Sequence, residues 1–216
     1  MRKNGAFRAG TVLVVATLAF ASISITGCAR RSLPNVVVYD FGPGPLESKP
    51  QTRIAPFNAL ALPPVQTTRA LDSSSVYYRL QYKDAQQPKA YAQARWSMPV
   101  AELIDQKLRY QLGQNRSLIN PQDNLQLGKN VLTLHLQLEE FSQVFETPDK
   151  SSGLLKMRAT LSESHTQGAR LQAQRSFIVQ HPSTSPDAAG GVHALTVVVE
   201  KLGAELEQWL QEQPSR

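Results

Sequence analysis

The chain switches between two hydrophobic periods, and the switches divide it into elements. SMPVAELIDQKLRYQLG (97–113) places Val100, Leu103, Ile104, Leu108 and Leu112 on one face at helical spacing. Pro99 suits the first turn and Gly113 the stop, so a first helix is predicted here. VLTLHLQLEEF (131–141) alternates instead. Leu132, Leu134, Leu136 and Leu138 face one way, and Val131, Thr133, His135, Gln137 and Glu139 the other, as in a half-buried strand. SSGLLKMRATLSES (151–164) and RLQAQRSFIVQ (170–180) follow as strands, with TPDKSSG and HTQGA as turns, which predicts an antiparallel meander. The helical period returns with Val192, Leu195, Val199, Leu202, Leu206 and Trp209, after an N-cap near Ser185-Pro186-Asp187. Val197-Val198-Val199 is an awkward β-branched run for a helix, yet the period persists across it to about Gln211.

The amino-terminal half is less regular. VVVYDF (36–41) reads as a strand, GPGPLESKPQ (42–51) as a loop, RIAPFNALALPPV (53–65) as a strand ending at the double proline, and SSVYYRLQY (74–82) as another strand, with residues 66–73 as a loop. Residues 83–95 are polar and read as a mobile connection. The elements predict a single α+β domain over residues 36–213, a mixed or antiparallel sheet with two main helices packed on it.

Before that domain, MRKNGAFRAG is basic, TVLVVATLAFASISI (11–25) is apolar or small, and Thr26-Gly27 precede Cys28. This is the layout of a secretory signal over residues 1–27. A spanning helix needs about 20 apolar residues, and this stretch is shorter and rich in Ser and Thr. Residues 28–35 read as a tether.

Composition changes the picture in two places. The formal net charge is +6. Arg2, Lys3 and Arg8 lie in the signal, so its removal leaves +3, and the remaining charges form no basic run or aromatic-interleaved stripe. Nucleic acid is therefore not an expected partner. Apolar content of 41% over 216 residues is enough for an ordinary core. The other change comes from Cys28, the only cysteine. A lone thiol in an oxidising compartment is a liability unless it is modified.

Reacting constellations are not found. His135, His165, His181 and His193 show no metal-ligand spacing, and G-x-S-x-G and H-E-x-x-H do not occur. Glu139 and Glu140 are neighbours on a strand and point apart. Trp96 and Trp209 fit core packing better than ligand stacking. GPGP lacks the Lys-Ser/Thr of a phosphate loop, and its prolines lack N–H donors. No cofactor, metal or catalytic residue is expected.

Ile25-Thr26-Gly27-Cys28 resembles the bacterial lipobox. The resemblance implies acylation of the Cys28 sulfur, cleavage before it and acylation of the new amine; Ala29, where an Asp would retain the protein in the inner membrane, implies the periplasmic face of the outer membrane. Arg30 and Arg31 fit either anionic headgroups or a solvated tether. The order of segments in the mature chain resembles the ABC-type transport auxiliary lipoproteins (the PqiC-like group). The matching pieces are Tyr39-Asp40-Phe41-Gly42, Ala59-Leu60-Ala61-Leu62-Pro63-Pro64-Val65, Leu71-Asp72 with Val76-Tyr77-Tyr78-Arg79, Tyr82, Arg95-Trp96-Ser97-Met98-Pro99 and the helix ending Trp209-Leu210. Phe41, Ser73 and Met98 depart from the family's usual residues. The resemblance implies a non-enzymatic partner of an MCE-domain protein and its ABC permease and ATPase, in a system that moves lipids across the envelope, with a homo-oligomer expected. A lipid carrier, or an envelope-assembly lipoprotein without a transporter, is the alternative.

Overall fold

The computed structural model describes residues 35–44, 59–121, 131–165 and 168–213, with only the backbone of Ser164 and His165. The predicted signal, Cys28, the tether and the first part of the predicted strand 53–65 lie outside the described residues.

A long strand, β7 (Leu132–Thr147), organises the sheet. Along one edge it pairs antiparallel with β8 (Lys150–His165) over nearly its whole length, and β8 pairs antiparallel with β9 (Gly168–Pro182). This is the expected meander. Along its other edge β7 accepts three short parallel strands in succession. β2 (Leu60–Ala61) sits at Leu132–Thr133, β3 (Gln66–Thr67) at Gln137–Leu138, and β4 (Ser75–Leu80) reaches Gln143–Phe145. Residues 60–80 thus behave as one strand interrupted twice. Pro63 and Pro64 cannot donate to a ladder, which accounts for the first interruption. Thr67 Oγ1 donates to Leu138 O at 3.3 Å and secures the short middle piece. β6 (Leu118–Ile119) pairs parallel with β2.

β5 (Asp84–Trp96) corrects one expectation, since this thirteen-residue strand takes up nearly all of residues 83–95 in place of a mobile connection. β4 supplies its antiparallel ladder, with two register shifts, and β1 (Val37–Tyr39) pairs parallel with only its last three residues. Ala, Gln and Lys fill most of β5, so no hydrophobic period marks it. Over 84–93 it is an edge, where Pro88 is tolerated because no N–H is required on the open side.

α1 (Val100–Leu112) and α2 (Ala188–Gln211) match the predicted helices. Pro99 occupies the N-cap of α1 rather than its first turn, and its carbonyl accepts from Glu102 and Leu103 N–H. Asp187 rather than Ser185 caps α2. Its Oδ1 accepts from Gly190 N–H at 2.8 Å and from Ser185 Oγ at 2.7 Å, bonds that hold its carboxyl below the usual carboxylate range. The β-branched run stays helical because Val198 and Val199 are both fully buried.

α2 packs on β7, β8 and β9, and α1 packs on α2. The inward residues are Leu134, Leu136 and Leu138 on β7, opposite Leu161, Ala159 and Met157. A bulge at Glu139 then exchanges the faces, so that Phe141, Gln143 and Phe145 point inward instead. Every apolar position predicted on the two helices is buried. Phe41, Trp96 and Phe141 form an aromatic trio with centroids 5.3 to 6.3 Å apart, and Trp209 stacks edge-on against Phe177. Both tryptophans are core residues.

β8 and α2 touch backbone to backbone at Gly153. A Cβ there would stand 2.8 Å from Ala194 C and 2.9 Å from Leu195 N. Gly153→Val is expected to lower unfolding stability by about 1–3 kcal/mol, the usual cost of overpacking, read as a lower urea midpoint at unchanged slope.

Candidate functional site

Three places gather polar or accessible groups. The first lies beneath the amino end of α2. Gln143, turned inward by the bulge, is fully buried. Tyr91 Oη donates to its Oε1 at 2.8 Å, and its Nε2 donates to Ser151 Oγ at 2.8 Å and Ser183 Oγ at 3.4 Å. Gly191 makes room for the amide, because any side chain there would strike Gln143 Oε1. The Tyr91 hydroxyl is held well above its ordinary ionisation range by burial, with Tyr78 and Asp187 adding to the effect. The phenol spends its one proton on the Gln143 amide, whose nitrogen is in turn bonded to two serine hydroxyls. The cluster fastens β5, β7 and β8 to the segment leading into α2.

The second place is a cleft of about 470 Å³ bordered by Pro64, Asp105, Arg109, Arg116 and Asn120. Its guanidinium groups are engaged. Arg109 binds Asp105 Oδ2 at 2.6 Å and donates to Leu62 O at 2.7 Å, while Asp105 accepts from Val65 N–H. Arg116, 5% exposed at the side chain, binds Glu207 at 2.7 Å. Charges buried this deeply need such partners, and the pairs leave no surplus positive charge for an anion.

The third is a cleft of about 280 Å³ between the segment after β1 and the outer side of α1. Phe41 and Leu103 form its buried floor; Met98, Lys107 and Tyr110 border it. Gly42 and Gly44 take φ of +73° and +72°, and Asp40 Oδ1 accepts from Gly42 N–H at 2.8 Å, so the GPGP loop turns tightly along the rim. Lys107 Nζ is paired to Glu200 at 2.9 Å. Beside this cleft runs β1, where Val37 and Val38 are 48% and 61% exposed, with Val36 just before it 42% exposed.

The histidines stay apart from these places. His135 is exposed on β7 and His193 is exposed on α2. His181 Nδ1 lies 3.2 Å from Lys201 Nζ; partial burial, Lys201 and His193 hold its imidazole below the ordinary value. The side chain of His165 lies outside the described residues. Among the described residues no group of three His, Cys, Asp or Glu could hold a metal. Glu139 binds Arg158 at 2.6 Å and Glu140 binds Arg79 at 2.8 Å, so each carboxylate is already committed to a different arginine. Sequence reasoning did not find the Gln143 cluster or the exposed edge of β1. The bulge hides the first, since it changes the parity of burial in mid-strand. The only sign of the second is VVV immediately after a polar tether.

The comparisons agree on the fold. A family model described as the ABC-type transport auxiliary lipoprotein component matches residues 39–207. A crystal structure of a Xanthomonas campestris protein, described under the family model DUF330, superposes with a TM-score of 0.62 at 18% identity, over 80% of this chain and 94% of that one. A second crystal structure, of a protein described as uncharacterized, gives a TM-score of 0.58 at 14% identity, over 82% and 99% of the two chains. No curated protein matches the chain.

Tyr91→Phe leaves the buried Gln143 Oε1 without its donor and is expected to cost about 1–3 kcal/mol in chemical denaturation. The raised phenol also sets a pH dependence. The unfolded tyrosine ionises near pH 10 while the folded one keeps its proton, so stability is unaffected below about pH 10 and falls as the pH rises beyond it. Denaturant midpoints measured across that window should fall less steeply in Tyr91→Phe.

Proposed function

The chain belongs to the ABC-type transport auxiliary lipoprotein family, and from that premise we propose that it is a non-catalytic lipoprotein of the outer membrane, anchored through Cys28, which docks an MCE-domain protein and so joins an ABC permease and ATPase to that membrane. The observation that carries this reading is the family match over residues 39–207 behind the lipobox Ile25-Thr26-Gly27-Cys28. Ala29 supports outer-membrane sorting on the periplasmic face. Each acyl methylene buried adds about 0.8 kcal/mol, so multiple chains hold the domain firmly where one would not. An anchored domain searches for its partner in two dimensions at a raised effective concentration, and repeated copies in a homo-oligomer would add avidity.

The non-catalytic reading has physical support. Glu139, Glu140, Asp105 and Glu207 are each paired with an arginine, and Tyr91 is held neutral. The carrier alternative has less. The apolar faces of both helices are spent on the core, and the cleft beside α1, at about 280 Å³, falls just below the ~300–1,000 Å³ of small-molecule sites.

Cys28→Ala is expected to leave the domain folded but unprocessed and without acyl chains, as read by intact-mass spectrometry, and residues 29–216 expressed alone should fold. Tagged wild-type protein drawn from gently solubilised envelopes should bring an MCE-domain protein and ABC subunits with it. Their repeated absence under several mild detergents would refute the docking role.

A further inference from the structure

We propose that β1 is a membrane-contacting edge, with Val36, Val37 and Val38 seated at the headgroup level of the bilayer that holds the anchor. The inference rests on acylation of Cys28 and deepens that reading by naming which part of the domain meets the lipid.

The three valines are the longest run of exposed large apolar residues among those described, at 42%, 48% and 61%. Successive side chains on a strand point to opposite faces, so Val36 and Val38 project one way and Val37 the other. A protein partner laid against one face would cover one set and leave the other in water. A medium that surrounds the edge takes both. Among the described residues β1 also ends the strand order and pairs with β5 alone, on one side of its backbone. Bare N–H and C=O groups are not tolerated in hydrocarbon, which limits β1 to the hydrated headgroup zone.

Reach selects the bilayer as the occupant. Seven residues lie between Cys28 and Val36, and a fully extended chain spans at most ~3.6 Å per step, so over eight steps Val36 can stand no more than about 29 Å from the anchor. It is the first element that the tether meets. Arg95, exposed on β5, lies in register with Val38, and Lys89 lies farther along the same strand. Because the acyl chains already supply the affinity, contact through β1 sets orientation. It puts one margin of the sheet on the membrane and turns β9, at the other end of the strand succession, away from it.

The full acylated chain can be tested in vesicles of phosphatidylethanolamine and phosphatidylglycerol. Acylation occupies the native thiol, so Val37→Cys and Val38→Cys each offer one site for an environment-sensitive dye, with Gln174→Cys on β9 as the control. Both β1 labels are expected to shift to the blue and to lose emission to doxyl-labelled lipid, while the Gln174 label stays water-like and unquenched. Water-like emission at both valines overturns the proposal. So does shielding of only one of them, or shielding that doxyl lipid fails to quench, since either pattern means cover by protein, a second copy included. Intact-mass spectrometry on the same samples separates the two levels. An unmodified Cys28 removes the anchor and this proposal together, whereas acylated Cys28 with unquenched β1 labels removes this proposal alone.

Discussion

The whole fold depends on the hydrogen-bonding capacity of β7. Its sixteen residues carry backbone donors and acceptors on two edges, and one face is sealed beneath α2. Groups buried in this way must be paired. β8 meets the requirement on one side with a continuous antiparallel ladder. On the other side no single strand does so. β2, β3 and β4 divide the edge among them, and the prolines between the first two mark where the division falls. β6, β5 and β1 are in turn arranged on those short strands, so the amino-terminal half of the sheet has its place only by reference to β7.

Elements with a strong period were legible in the sequence. The two helices and the first half of β7 were visible because one face of each is buried along its length, and burial is what writes the period. β5 was illegible for the opposite reason. It is an edge whose side chains mostly face water, so Ala, Gln, Lys and a proline serve as well as valine would, and its existence is owed to the partner ladder of β4. Gln143 was hidden by the bulge at Glu139, since a polar residue on a buried face looks like an outward position until the parity change is known. GPGPLESKPQ reads as a loop, and its described residues 42–44 lie outside any strand or helix, while the cleft beside them depends on α1 approaching from sixty residues away, which no local pattern records.

The chemistry of the domain is one of closure. Many of its polar groups are assembled into pairs and small networks, as with Arg109 and Asp105 or Tyr91 and Gln143. The departures from the family's usual residues follow the same logic. Phe41 joins Trp96 and Phe141 in the core, and Ser73 Oγ lies 3.2 Å from Tyr77 Oη.

The shared edge of β7 also governs the order of assembly. Residues 60–80 lie more than fifty residues ahead of the strand they must pair with, so their native ladder cannot form until β7 is present. The meander β7–β8–β9, by contrast, closes through neighbouring hairpins and can nucleate as soon as it emerges. β4 can meanwhile pair with β5, but β2 and β3 must wait for β7, and their short, proline-broken pieces are poor templates for wrong pairing during that delay.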